Sequence, residues 1–136
     1  MTKQRGRKSV DRARYREYLA VAEHFYQAGM DSCELEYYTA AGVLIVHSAI
    51  AYADALCIKL SGQRSAGENH DEVIAMLESI VADSVEKKNA IKQIRRIIEE
   101  KTMVSYLGEL YSASGVDELM KRLARFRKWA VGILNR

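Results

Sequence analysis

Apolar positions along this chain recur at the spacing of helices, not strands. Val10, Ala13, Leu19, Ala22 and Tyr26, joined by Tyr15, Tyr18 and Phe25, predict a first helix. Ser9 is its cap, Asp11 sits in its electropositive first turn, and Gly29 is its stop, with Met30 folding back on the last turn. Asp31-Ser-Cys-Glu34 resembles a capping box with aspartate as the cap. It opens a second helix that runs to Ser61 and is ended by Gly62. The stripe of this helix is Ala40, Val43, Leu44, His47, Ile50, Ala51, Asp54 and Ile58. Small residues (Ala41, Gly42, Ser48, Ala49, Ala53 and Ala55) fill much of the rest, so neighbouring helices can approach closely, which suits the middle of a bundle.

Asn69-His-Asp-Glu72 is a second capping-box-like run. It opens a third helix with Val73, Ile74, Leu77, Ile80 and Val81 on its apolar side. A fourth starts near Ser84 and carries Ile91, Ile94, Ile97, Ile98, Val104 and Leu107 toward Tyr111. Ser112-Ala-Ser-Gly115 reads as the last loop. A fifth helix follows from about Val116, with Leu119, Met120, Leu123, Phe126, Ala130, Ile133 and Leu134 inside. No strand alternation competes. The connections are short, so neighbouring helices should run antiparallel. The pattern predicts an all-α, up-and-down bundle of about five helices over residues 9–136, preceded by a basic tail at 1–8.

Composition changes this picture little. A chain of 136 residues that is 49% apolar and 29% charged fits one globular domain with a proper core. There is no proline to break a helix. Cys33 and Cys57 form neither a CxxC motif nor a Cys/His cluster, so they read as reduced residues of a cytoplasmic protein. The basic start lacks the apolar stretch of a signal peptide, and the longest apolar run, Ala40 to Val46, is too short to cross a membrane.

Charge is more informative. Residues 1–16 hold seven Lys or Arg against one Asp, and residues 117–136 hold six against two acidic groups. The span between them holds eight basic and fifteen acidic residues. Either these are solvated tails and helix faces, or the two ends form one electropositive surface for RNA or an acidic partner.

The chemistry-bearing residues are few. There is no glycine-rich phosphate loop, HExxH, GxSxG or paired Glu-x-x-His set, which argues against nucleotide enzymes, zinc or serine hydrolases and di-iron proteins. No cofactor or metal is expected. Asp54 is a carboxylate in an apolar stripe and needs a partner. Arg64 and His70 at the following corner, and Lys88 and Lys101 on the fourth helix, are the choices. His47 lies on the same stripe, about 10 Å away along the axis.

This ordered set of residues resembles the HEPN superfamily of small helical-bundle domains. The likeness is carried by His47-Ser-Ala-Ile-Ala-Tyr-Ala-Asp54-Ala-Leu, Ser61-Gly-Gln-Arg64-Ser, His70, Lys101-Thr-Met-Val-Ser-Tyr106 and Leu123-Ala-Arg-Phe126-Arg-Lys-Trp129-Ala, and spans roughly residues 15–134. Many HEPN domains are metal-independent ribonucleases that dimerise and use an Arg-x4–6-His motif late in the bundle. They are often toxins paired with a nucleotidyltransferase-type antitoxin. The position matching that motif is Lys101-x4-Tyr106. Lysine can still hold a phosphate, but tyrosine, with a reference pKa near 10, is a poor base at neutral pH. Arg64-x5-His70 has the spacing but crosses a loop. The resemblance therefore implies a homodimeric module that binds RNA or a partner with weak catalysis or none. The alternatives are a ribonuclease toxin working through Arg64, His70, Lys101 or Tyr106, and an interaction partner of a nucleotidyltransferase-like protein. His47 and Asp54 mark the polar site.

Overall fold

A computed structural model of the protein describes residues 6–66, 71–107 and 111–136, with 101–107 described as helix backbone only. Five α-helices lie among the described residues: α1 (Tyr15–Glu34), α2 (Tyr38–Ser61), α3 (Asp71–Ile80), α4 (Val85–Leu107) and α5 (Ala113–Leu134). Two short strands, β1 (Arg7–Ser9) and β2 (Gln63–Ser65), pair antiparallel with Arg7 opposite Ser65, Lys8 opposite Arg64 and Ser9 opposite Gln63. The architecture is thus mainly helical, with a small two-stranded sheet that the hydropathy pattern does not predict.

α2 is the axis of the fold. It packs against all four other helices, most extensively against α1. From Ala51 to Ile58 every residue is buried, so this half has no solvent face and no stripe. By length and apolar composition α2 could cross a membrane, yet 78% of its apolar window is buried within the fold. Its first half buries Ala41, Gly42, Ile45, Val46, Ser48 and Ala49, a face rotated from the expected one. Ala40, Val43 and His47 are exposed. The reason is that α2 offers two apolar sides over this stretch, and small residues win the inner one because α1 lies so close. Ser48 Oγ donates to Ala22 O of α1 at 2.8 Å, and Gly29 of α1 lies against Ile45 and the Ala41 carbonyl. A Cβ on Gly42 would stand 2.4 Å from the ring of Tyr111, so this glycine is what lets the tyrosine lie on α2.

The close packing of Gly29 on α2 shifts the end of the first helix from where the sequence places it. Gly29 does not stop the first helix; it is buried mid-helix as a close-packing point, and α1 continues through Asp31-Ser-Cys-Glu34. The helix ends instead at Glu34, and the turn that ends it is made by Glu36, the only described non-glycine residue with positive φ (64°). Glu36 N–H donates to Cys33 O at 3.0 Å and Tyr37 N–H to Ser32 O at 2.8 Å, the paired bonds of a Schellman turn. The start also differs. Ser9 lies in β1, and Asp11 caps a 3₁₀ turn at Arg12–Arg14 by accepting from Ala13 N–H at 3.0 Å. Gly62, with φ of 71°, does end α2. Ser84 Oγ accepts from Lys87 N–H before α4, and Ser112 caps α5 by accepting from Gly115 N–H, so that helix starts three residues before Val116.

Candidate functional site

Gly62 turns the chain out of α2, and β2 then runs back over the helix end. This places Ser65 above Asp54. Asp54 Oδ1 accepts from Ser65 Oγ at 2.8 Å and from its N–H at 3.3 Å. Burial pushes the Asp54 carboxyl up to about 6; the Ser65 bonds and the nearby charge of Arg64 oppose the rise. Partnership thus comes from the serine beside the predicted arginine, because alternation along β2 turns Ser65 inward and Arg64 the other way. On the inner side, Arg7 pairs with Glu72 of α3 at 2.5 Å and so bolts β1 to the third helix. Cys57, one turn beyond Asp54, is buried, and desolvation pushes its thiol up to about 12. The corner is sealed and satisfied: Asp54 is 8% exposed, and its geometry suits a structural latch more than a base at a substrate.

The outer side of the same hairpin is different. Arg64 donates to the Ser65 carbonyl at 2.9 Å and holds its guanidinium 5.9 Å from the centre of the Tyr18 ring. Lys8 stands opposite it in register. Like charges facing each other across a strand pair are unfavourable, and an anion relieves them. Arg12 packs by its stem near Gly62. Lys59 lies 5.1 Å from the Tyr15 ring and also donates to the Leu134 and Arg136 carbonyls. It thereby ties the end of α5 to the start of α1. Arg16 donates to Tyr15 OH. Lys8, Arg12, Arg16, Lys59 and Arg64 form no ion pair among the described residues, whereas Arg14 is paired with Glu17. Tyr15 and Tyr18, three apart on α1, sit among these cations half-buried. The face combines positive charge with aromatic surface, the two things a nucleic acid strand contacts.

The other predicted residues do not join it. His47 is exposed on α2 with its ring 5.7 Å from Phe25 of α1. It does not share a stripe with Asp54: that inward register fails for the packing reason given above. His70 lies outside the described residues. Lys101 and Tyr106 belong to the C-terminal part of α4, and their side chains lie outside the described part as well. Lys88 is exposed and is not a partner of Asp54. No group of three or more His, Cys, Asp or Glu placed to hold a metal occurs among the described residues.

A second polar cluster has no counterpart in the sequence reading. Arg127 of α5 makes two-pronged contact with Glu23 of α1 at 3.0–3.1 Å, donates to Tyr52 OH of α2 at 2.9 Å and lies 4.9 Å from the Tyr26 ring centre. Tyr52 is fully buried, and desolvation together with Glu23 raises its phenol above the ordinary value. Nε and Nη2 both donate within the fold, so this is a clasp joining three helices. The spacing of Glu23, Tyr52 and Arg127 carries no local signal that would find it. No family model, curated protein or solved structure gives a significant match to this chain.

Proposed function

We propose that this protein is an RNA-binding helical bundle, with weak catalysis or none, whose α1–hairpin face takes the phosphate backbone. The observation that carries the reading is the set of five cations that form no ion pair among the described residues, of which Arg16, Lys59 and Arg64 lie at the rings of Tyr15 and Tyr18, with Lys8 opposite Arg64 in register and Arg12 beside Gly62. Arginine and lysine neutralise phosphates, and tyrosine rings accept stacked bases of a flexible strand. The charge asymmetry of the sequence supports it, since cations from the start of the chain meet the end of α5 through Lys59. Within this reading the bundle is a HEPN-like fold, supported by its five helices and the polar corner after α2. It is a cytoplasmic homodimer that works alone or beside a nucleotidyltransferase-like protein. Cleavage is not favoured, because Asp54 is sealed beneath β2 and its carboxylate is held by Ser65.

The test is incubation of the protein with labelled single-stranded RNA in EDTA at low salt. Bound but intact RNA is expected, with binding weakened at least tenfold in an Arg12→Glu, Arg64→Glu double variant. Robust cleavage, lost in His70→Ala, would replace this reading with the ribonuclease one.

A further inference from the structure

Two hollows meet at Trp129 as one trough. One, of about 480 Å³, lies between α4 and α5 and is lined by Asn89, Ala90 and Gln93 on one wall and Arg125, Lys128 and Trp129 on the other. The second, of about 670 Å³, lies among the ends of α2, α3 and α5, against Leu60, Ile80, Val81, Gly132 and Ile133. Both are also bordered by Glu86, which stands with Trp129 where they join. The floor of the first hollow is mainly apolar; that of the second is mixed, with Asp83 (already paired with Lys87), Ser84 and Arg136 beside the apolar side chains. Arg125 and Lys128 are exposed and form no ion pair among the described residues, while their neighbours Lys121, Arg122 and Arg127 on α5 are all paired. A Cβ added at Gly132 would meet nothing within 4 Å, so the trough is open to solvent there.

We propose that this trough docks an acidic segment of a protein partner. Two apolar side chains of the segment enter the two hollows, and its carboxylates meet Arg125 and Lys128. Apolar hollows reward side-chain anchors, and unpaired cations at the rim reward acids. Glu86 decides between a peptide and a nucleic acid strand. A phosphate chain crossing from one hollow to the other would pass the Glu86 carboxylate and be repelled. A peptide places neutral backbone at that point and can donate an N–H to it. The trough adjoins the face assigned above to RNA at Arg136, whose carbonyl accepts from Lys59, but it is lined by none of the five cations of that face, so each assignment stands or fails by itself.

Trp129 is the only tryptophan in the chain, so its emission reports occupancy of the trough directly. A displayed library of random twelve-residue peptides is panned against the full chain, and the enriched peptides are synthesised and titrated while Trp129 fluorescence is read. The expected result is enrichment of Asp and Glu around two apolar positions, a shifted Trp129 emission and micromolar affinity. Gly132→Leu, whose Cβ has free space and whose branched end reaches into the trough, and Arg125→Glu with Lys128→Glu should each weaken binding at least tenfold. Neither should change the circular dichroism spectrum or RNA binding. The proposal is overturned if no acidic peptide is enriched, if Gly132→Leu leaves affinity unchanged, or if an oligouridylate shifts Trp129 emission and the peptides do not.

Discussion

At the scale of single residues, Asp54 shows how a sequence oddity becomes a physical commitment. Its carboxyl titrates near 6 in the fold against an ordinary value of 3.8, because burial outweighs two bonds from Ser65. The folded state therefore holds this proton more tightly than the unfolded one. The stabilisation is fully present below about pH 4 and is lost as pH rises through about 6. Asp54→Asn keeps an acceptor for Ser65 but cannot ionise. Relative to wild type, this variant should gain about 2–3 kcal/mol between pH 4 and pH 7, as one pKa unit is about 1.4 kcal/mol. Urea unfolding of both proteins across that range measures it; a difference that stays flat with pH would remove the buried charge from the account. Glu36 makes the opposite kind of commitment. It holds positive φ without being glycine, and its side chain is exposed. Glu36→Gly should stabilise the protein by about 0.5–1 kcal/mol, the left-handed strain less the added entropy of the unfolded glycine. A lowered urea midpoint would contradict that.

At the scale of elements, helix existence was legible and helix ends were legible only where local chemistry sets them. Gly62, Ser84 and the region of Ser112 mark real ends because a left-handed turn or a hydroxyl cap acts within a few residues. Gly29 misleads because close packing against α2 uses the same residue type as a stop does. Glu36 is silent because a non-glycine residue takes the glycine role. The two strands were not legible at all: three residues are too few to show alternation, and β1 pairs with a partner more than fifty residues away. The Asp54 corner could be located from the sequence, but its partner could not, since strand alternation and not spacing selects Ser65 over Arg64. One element junction gives a clean prediction. Buried Lys87 donates to the Glu78 and Val81 carbonyls at the end of α3 at 2.8 and 2.9 Å, and to exposed Asp83. Lys87→Met strands those carbonyls and should cost about 1–3 kcal/mol. Asp83→Ala removes only a solvent-facing partner and should cost a few tenths, about what a surface pair is worth. Equal losses in thermal unfolding of the two variants would mean the ion pair, not the helix-end capping, holds α3 to α4.

At the scale of the whole molecule, the fold brings the first described residues, the end of α2 and the end of α5 to one place. The homodimer that belongs to the proposed reading predicts a two-chain mass by light scattering at tens of micromolar protein; a single-chain mass throughout would count against it. The central claim is that the cations around Tyr15 and Tyr18 bind RNA through its phosphates. It is tested most directly by measuring the Kd for a short single-stranded RNA by fluorescence anisotropy at a series of salt concentrations. If five phosphates are neutralised, log affinity falls against log salt with a slope of about −3.5, and each of Arg12→Ala and Arg64→Ala lessens the slope by about 0.7. Affinity that does not change with salt, or slopes that do not change in either variant, would contradict the account.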